Sequence, residues 1–210
     1  MHPPGLLLLD SDVFVLLAGA GLLPSLIVGT GYDLETTRRL DPLPYMLRGG
    51  SMVGRYPQGV RQKALAWCAE IPAVEEAPDP ELIDQLTTIQ DVDPGEAFLF
   101  ALVAEMDHAL LVTGDKRACR AIQRSVDLRE LKARLAGKVL CLEAVLQLLL
   151  EQLGYAELVD ALNPVREYNQ TLRILLSQGA LTPETSFRDG LESYLADLAA
   201  QADDLLFNLG

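Results

Sequence analysis

A chain of 210 residues has the length for one substantial domain; with half of it hydrophobic and 22% charged it can bury a core, which excludes intrinsic disorder. Aromatic residues make up only 6%, leaving few rings for stacking on bases or sugars, and a net charge of −13 argues against broad, undirected nucleic-acid binding. Cys68, Cys119 and Cys141 lie far apart with no CxxC spacing, which suits small core residues in a reducing, cytoplasmic compartment and argues against a disulfide framework or a zinc site.

Leu6–Leu9, a continuous apolar run after Pro3, Pro4 and Gly5, predicts a strand buried on both faces. It runs into Asp10-Ser11-Asp12, where Ser11 or Asp12 can cap a helix predicted over Val13–Leu23 and broken by Pro24. The stretch from Leu6 to Leu23 imitates a signal sequence but lacks a basic leader. Each of its two aspartates would cost about 3 kcal/mol inside a membrane, so a soluble protein with no membrane partner is expected.

Ser25–Gly31 (SLIVGTG) reads as a second strand, followed by a short helix carrying Asp33, Glu35 and Arg38. Residues 41–59 hold four Gly and three Pro and predict a loop. A helix over Val60–Glu70 follows. A connection over residues 71–80 then leads to a short helix over Glu81–Gln90. Pro94 opens a helix over Gly95–Met106, because proline is favoured in a first turn.

Ala109–Val112 is a third predicted strand, ending in Thr113-Gly114-Asp115, and Lys116–Arg124 is basic with a helical period. Lys138–Leu142 is a fourth strand, and Glu143–Leu153 a helix closed by Gly154. The rest reads as helical, with breaks near Asn163-Pro164 and Leu181-Thr182-Pro183. Strands alternating with helices predict an α/β fold with a mostly parallel sheet covered on both faces. The expected division is an α/β domain over 1–155 and a helical extension over 156–210 packed on it.

Charge is segregated along the chain. Between Ala64 and Asp115 there is no Lys or Arg against twelve acids. Arg38 to Lys63 holds six bases and one acid, and Lys116 to Lys138 eight bases and two acids. Basic rims around an acidic centre are what a polyanion-cleaving site needs, although a solvated surface accounts for part of the pattern.

Parallel sheets form their sites beyond the carboxyl ends of the strands. Leu9 runs directly into Asp10, and Val112 reaches Asp115 three residues later, so acids from distant parts of the chain share one edge. Glu96 lies in a first helical turn, where a capping role is also open to it. Crowded carboxylates repel one another unless a cation neutralises them, and Mg²⁺ or Mn²⁺ suits oxygen-only ligands. Metal-activated water needs no His or Cys, which fits a chain with only two histidines, His2 in a terminus expected to be mobile and His108 before a strand. Asp91, Asp93 and Asp107 read as surface or capping residues.

Leu6–Leu17 (LLLLDSDVFVLL), Asp93–Glu105 (DPGEAFLFALVAE) and Leu110–Ala121 (LLVTGDKRACRA), in this order, resemble the motifs of PIN-like domains. The likeness covers roughly residues 5 to 155, with a weaker match in the helical tail. It implies a three-layer α/β/α sandwich and a Mg²⁺- or Mn²⁺-dependent endoribonuclease, a class that includes the toxins of many bacterial toxin–antitoxin pairs. It makes Asp10, Glu96 and Asp115 the catalytic metal ligands, with Glu35 as a fourth and Asp33 in reserve. Asp12 and Thr113 would support the site, and Lys116 and Arg117 would contact substrate phosphates. RNA is then the substrate, and an antitoxin-like protein or a second copy of the chain are the partners the helical tail leaves open.

The chain departs from the family pattern after Asp115, where active members often carry one more acid and this sequence has Lys116, Arg117, Ala118, Cys119 and Arg120. A PIN-like scaffold that has lost a ligand and serves in binding or regulation is therefore the alternative. The run ending in Asp10-Ser11-Asp12 also resembles the nucleophile motif of haloacid dehalogenase-like phosphatases. That family should supply a lysine before a late strand bearing paired acids, and neither feature is present.

Overall fold

An apolar run such as Leu6–Leu9 is stable as a strand only with protein on both sides. In the computed structural model, which describes residues 5–207 and so leaves His2 outside, β1 (Leu7–Leu9) is fully buried inside a four-stranded sheet. Across the sheet the order is β2 (Thr37–Arg39), β1, β3 (Leu110–Thr113) and β4 (Val139–Cys141), every pair parallel. The chain is thus mixed α/β, mainly helical, around a small parallel sheet.

Side chains alternate between the faces of a strand. Leu7 and Leu9, with Leu110 and Val112, enter one apolar cluster, while Leu8 and Leu111 enter a second. The helices fill these clusters in turn. The first takes α1 (Ser11–Ala20), α2 (Leu23–Gly29), α3 (Leu43–Gly49) and α4 (Gln58–Glu70). The second takes α5 (Pro80–Thr87), α6 (Pro94–Glu105), α7 (Lys116–Arg124) and α8 (Arg129–Leu135). The chain then returns to the first with α9 (Leu142–Leu153), α10 (Tyr155–Leu162), α11 (Gln170–Leu175) and α12 (Glu184–Ala202).

Four expectations are corrected here. SLIVGTG is not a strand: it belongs to α2, where Leu23, Leu26 and Ile27 are buried at helical spacing. Pro24 starts this helix rather than breaking the previous one. α1 is ended by Gly21, whose left-handed backbone (φ 76°) returns the Gly21 N–H to the carbonyl of Ala18 and the Leu22 N–H to that of Leu17. The strand beside β1 is instead the polar Thr37–Arg39, an edge strand on which Arg38, expected on a helix, now lies. The loop expected over 41–59 also contains α3.

The last fifty residues are knitted into the same core. Leu158, Leu162, Leu172 and Phe187 are fully buried in the first cluster, and the breaks at Asn163 and before Glu184 fall where proline predicts them. Ala202 and Leu205 join the second cluster, and Phe207 donates its N–H to Val139 of β4. Among the described residues no single helix is long and apolar enough to cross a membrane. α1 and α2 are so only as a pair bent by 113°, and both are largely buried in the protein.

Candidate active site

Because β1 and β3 are parallel neighbours with Leu9 opposite Val112, the residues that follow them emerge side by side. The Asp10 N–H donates to the Val112 carbonyl at 3.0 Å, which fixes the start of the loop. Asp10 stands at the cap position of α1, yet its carboxylate makes no capping hydrogen bond. The helix therefore leaves it unused. Thr113 lies between the two acids: its hydroxyl accepts from the Asp115 N–H at 3.1 Å and makes a long, weak contact of 3.5 Å to Asp10 Oδ2.

Asp115 and Glu96 do cap helices. Asp115 Oδ1 accepts from the N–H groups of Arg117 (2.7 Å) and Ala118 (3.1 Å) at the start of α7. Glu96 forms a capping box with Asp93 on α6, both bonds 2.8 Å. Capping and site membership coexist, since both acids also line the cavity that contains Asp10.

The electrostatics separate these acids. Burial, and then the charge of Asp12, push the Asp10 carboxyl up to about 7, with Asp93 and Asp115 adding to the effect. Burial pushes Glu96 up to about 8, helped by the charges of Asp115 and Asp93. Burial also works against ionised Asp115, but the Ala118 N–H, the Arg117 guanidinium and a hydrogen bond from Glu96 outweigh it and leave its pKa lowered. The two neighbouring carboxyls are thus pushed apart, Glu96 upward and Asp115 downward. Without a cation, this edge stores protons near neutrality.

The cations around the acids have partners. Arg55 grips Asp12 at 2.6 Å, and Arg117, three-quarters exposed, reaches Asp115 at 3.2 Å. Lys116, expected to meet phosphate, is drawn aside. Its ammonium donates to Glu143 Oε1 at 2.6 Å and to Thr171 at 3.1 Å, and lies 4.3 Å from the Tyr194 ring centre. Glu143 is 1% exposed, and its second oxygen has no partner. Arg55, Lys116 and Arg117 border, with the acids, a cavity of about 740 Å³, closed on one side by Tyr168, Asn169, Gln170 and Tyr194 from the C-terminal helices.

Asp10, Asp12, Glu96, Asp115, Lys116 and Arg117 therefore share one cavity, with Thr113 buried beneath it. Glu35 does not join them. It precedes β2, and Leu7 pairs with Thr37, so Glu35 lies at the amino edge of the sheet while Asp10 lies at the carboxyl edge. Glu35 and Asp33 border a separate cavity with Tyr32 and Trp67, which corrects the fourth-ligand assignment. Glu143 was missed, although it follows β4 by the same strand-end rule that marks Asp10. Nothing in the sequence pattern singles out Arg55, Tyr168, Asn169, Gln170 or Tyr194.

The donor set of Asp10, Glu96 and Asp115 is all oxygen, the chemistry a hard divalent ion prefers. Among the described residues, however, no three His, Cys, Asp or Glu side chains are assembled as a ready metal-binding group. No protein-family model, curated protein or solved structure matches the chain.

Proposed function

We propose that the chain is a metal-dependent endoribonuclease with a PIN-like, three-layer α/β/α fold, in which Asp10, Glu96 and Asp115 hold Mg²⁺ or Mn²⁺. The observation that carries the reading is the pair of carboxyls, Asp10 and Glu96, pushed up to about 7 and about 8 in one polar cavity at the carboxyl edge. Acids whose pKa lies near neutrality are suited to bind a divalent ion in exchange for their protons. The bound ion would supply an activated water and charge neutralisation for a phosphodiester.

The chain's own groups do the rest. The Thr113 hydroxyl holds the Asp115 backbone N–H beside Asp10, and the Ala118 and Arg117 N–H groups fix the Asp115 carboxylate. Arg117 and Arg55 present guanidinium donors at the rim, matched to a phosphate. Buried thiols without disulfides fit a cytoplasmic setting, and an antitoxin-like protein or a second copy remains the partner this reading carries.

A binding or regulatory scaffold is the second reading. It is favoured by Lys116, which ion-pairs with buried Glu143 where an acid would strengthen the metal site, and by the lack of a ready metal-binding group among the described residues. The test is cleavage of single-stranded RNA and of p-nitrophenyl phosphate with Mn²⁺, comparing wild type with Asp10→Asn and Asp115→Asn. RNA cleavage lost in both variants supports the nuclease. Phosphatase turnover alone overturns it, and no activity with no metal-induced rise in melting temperature supports the scaffold.

A further inference from the structure

The cavity has two unlike walls. On one side stand the acids with Arg55, Lys116, Arg117 and Arg120; on the other the C-terminal helices present two phenol rings, two amides and the Thr171 hydroxyl, uncharged side chains with Lys116 against their edge. A nucleotide has the same division, an anionic phosphate joined to a neutral, flat base edged with hydrogen-bonding groups. The volume, about 740 Å³, falls in the range of small-ligand pockets.

The amide wall has unused donors on a rigid support. Asn169 spends its Oδ1 capping α11, accepting from the Leu172 N–H at 3.1 Å, which leaves its amide nitrogen without a partner among the described residues. The Gln170 side chain is exposed at the first position of α11 and is likewise unengaged. Both positions are anchored from behind by Leu172 and Val165, which are fully buried. Tyr168 is braced against Tyr56, ring centres 5.7 Å apart, and Tyr194 against the Lys116 ammonium. Preorganised rings and amides are what read one unstacked base.

We propose that Tyr168, Asn169, Gln170 and Tyr194 form the base-binding subsite of this cleft, taking one unpaired nucleotide with its phosphate toward Arg117 and Arg55. For its substrate class the inference rests on the nuclease reading. It adds that the C-terminal helices, where the PIN-like resemblance is weaker, are specificity elements. The Lys116–Glu143–Thr171 cluster becomes the tie that holds this wall against α7 and α9.

The full chain in EDTA is titrated with adenosine 5′-monophosphate and with ribose 5-phosphate, so that binding is read without metal or turnover. Wild type should prefer the nucleotide by about tenfold, the size of one stacked, hydrogen-bonded base. Tyr194→Leu and Gln170→Ala should each cut that ratio by about threefold or more, while Tyr194→Phe, which keeps the ring, should retain it. If Tyr194→Leu fails to fold, Gln170→Ala at its exposed position decides. Equal affinities in wild type, or a ratio unchanged in every folded variant, overturn the subsite. RNA cleavage with Mn²⁺ is scored separately: a base preference without cleavage removes the nuclease and leaves the subsite, and cleavage without base preference does the reverse.

Discussion

At the carboxyl edge of the sheet Asp10 and Glu96 are raised to about 7 and about 8, whereas at the amino edge the Asp33 carboxyl is lowered by the hydroxyl and the backbone N–H of Thr36. Both edges carry acids close in sequence to strand ends, and both border a cavity. The difference is solvation and company. Asp33 stands in water with its oxygen satisfied within its own turn, with Thr36 N–H at 2.8 Å. Asp10 is withdrawn from water among Asp12, Asp93 and Asp115 and receives no capping bond. An exposed, self-satisfied acid has no use for a cation; a crowded one that caps no helix does.

The largest effect that can break this contrast is on activity. Asp10→Asn or Asp115→Asn should lower RNA cleavage by roughly a thousandfold, as expected when a ligand to a catalytic ion is removed. Glu35→Gln, at the other edge, should leave the rate within about twofold. A loss as deep in Glu35→Gln as in Asp10→Asn, read from initial rates on a labelled single-stranded RNA, would erase the distinction.

Next in size is the buried pair beside the site. Lys116→Met leaves Glu143, 1% exposed, without its cation, and should cost about 3 kcal/mol in urea unfolding. Adding Glu143→Gln to that variant should recover much of the loss, since the uncompensated charge is gone.

The third effect is in pH. A carboxyl whose folded pKa is raised binds its proton more tightly in the native state, so its contribution favours folding at low pH and is lost as pH climbs from about 4 to about 8. The metal-free protein should therefore melt lower at pH 8 than at pH 5, and Asp10→Asn should raise melting at pH 8 by a few degrees, about 2–4 °C per kcal/mol. Asp33 has the opposite sign, its lowered pKa giving stability above the unfolded value that is lost in acid, so Asp33→Asn should change melting only above that value. Smallest is Arg55→Ala. Its pair with Asp12 is half exposed and should contribute less than about 1 kcal/mol to stability in the same thermal scans.

What the sequence revealed follows the same division. Asp10, Glu96 and Asp115 were legible because each sits at a strand end or first helical turn, where local rules fix its position. The buried strand Leu7–Leu9 and the capped helix α6 were legible for the same reason. Glu35 was misplaced because SLIVGTG, apolar and β-branched, imitates a strand; the real strand, Thr37–Arg39, is an edge and needs little apolar character. With the strand shifted, Glu35 moved to the wrong end of the sheet. The wall of Tyr168, Asn169, Gln170 and Tyr194 was illegible, since only tertiary packing of Val165, Leu172 and Leu191 brings these residues to the cavity.

The central claim, that the proton-holding acids of the carboxyl edge form a divalent-ion site, is met most directly by calorimetric titration of Mn²⁺ into the wild-type protein at pH 7 in two buffers of different ionisation enthalpy. The account predicts binding that releases between about one and two protons per ion, as Asp10 and Glu96 give up theirs, and loss of that binding in Asp10→Asn but not in Glu35→Gln. Binding with no proton release, or binding that survives Asp10→Asn unchanged, would contradict it.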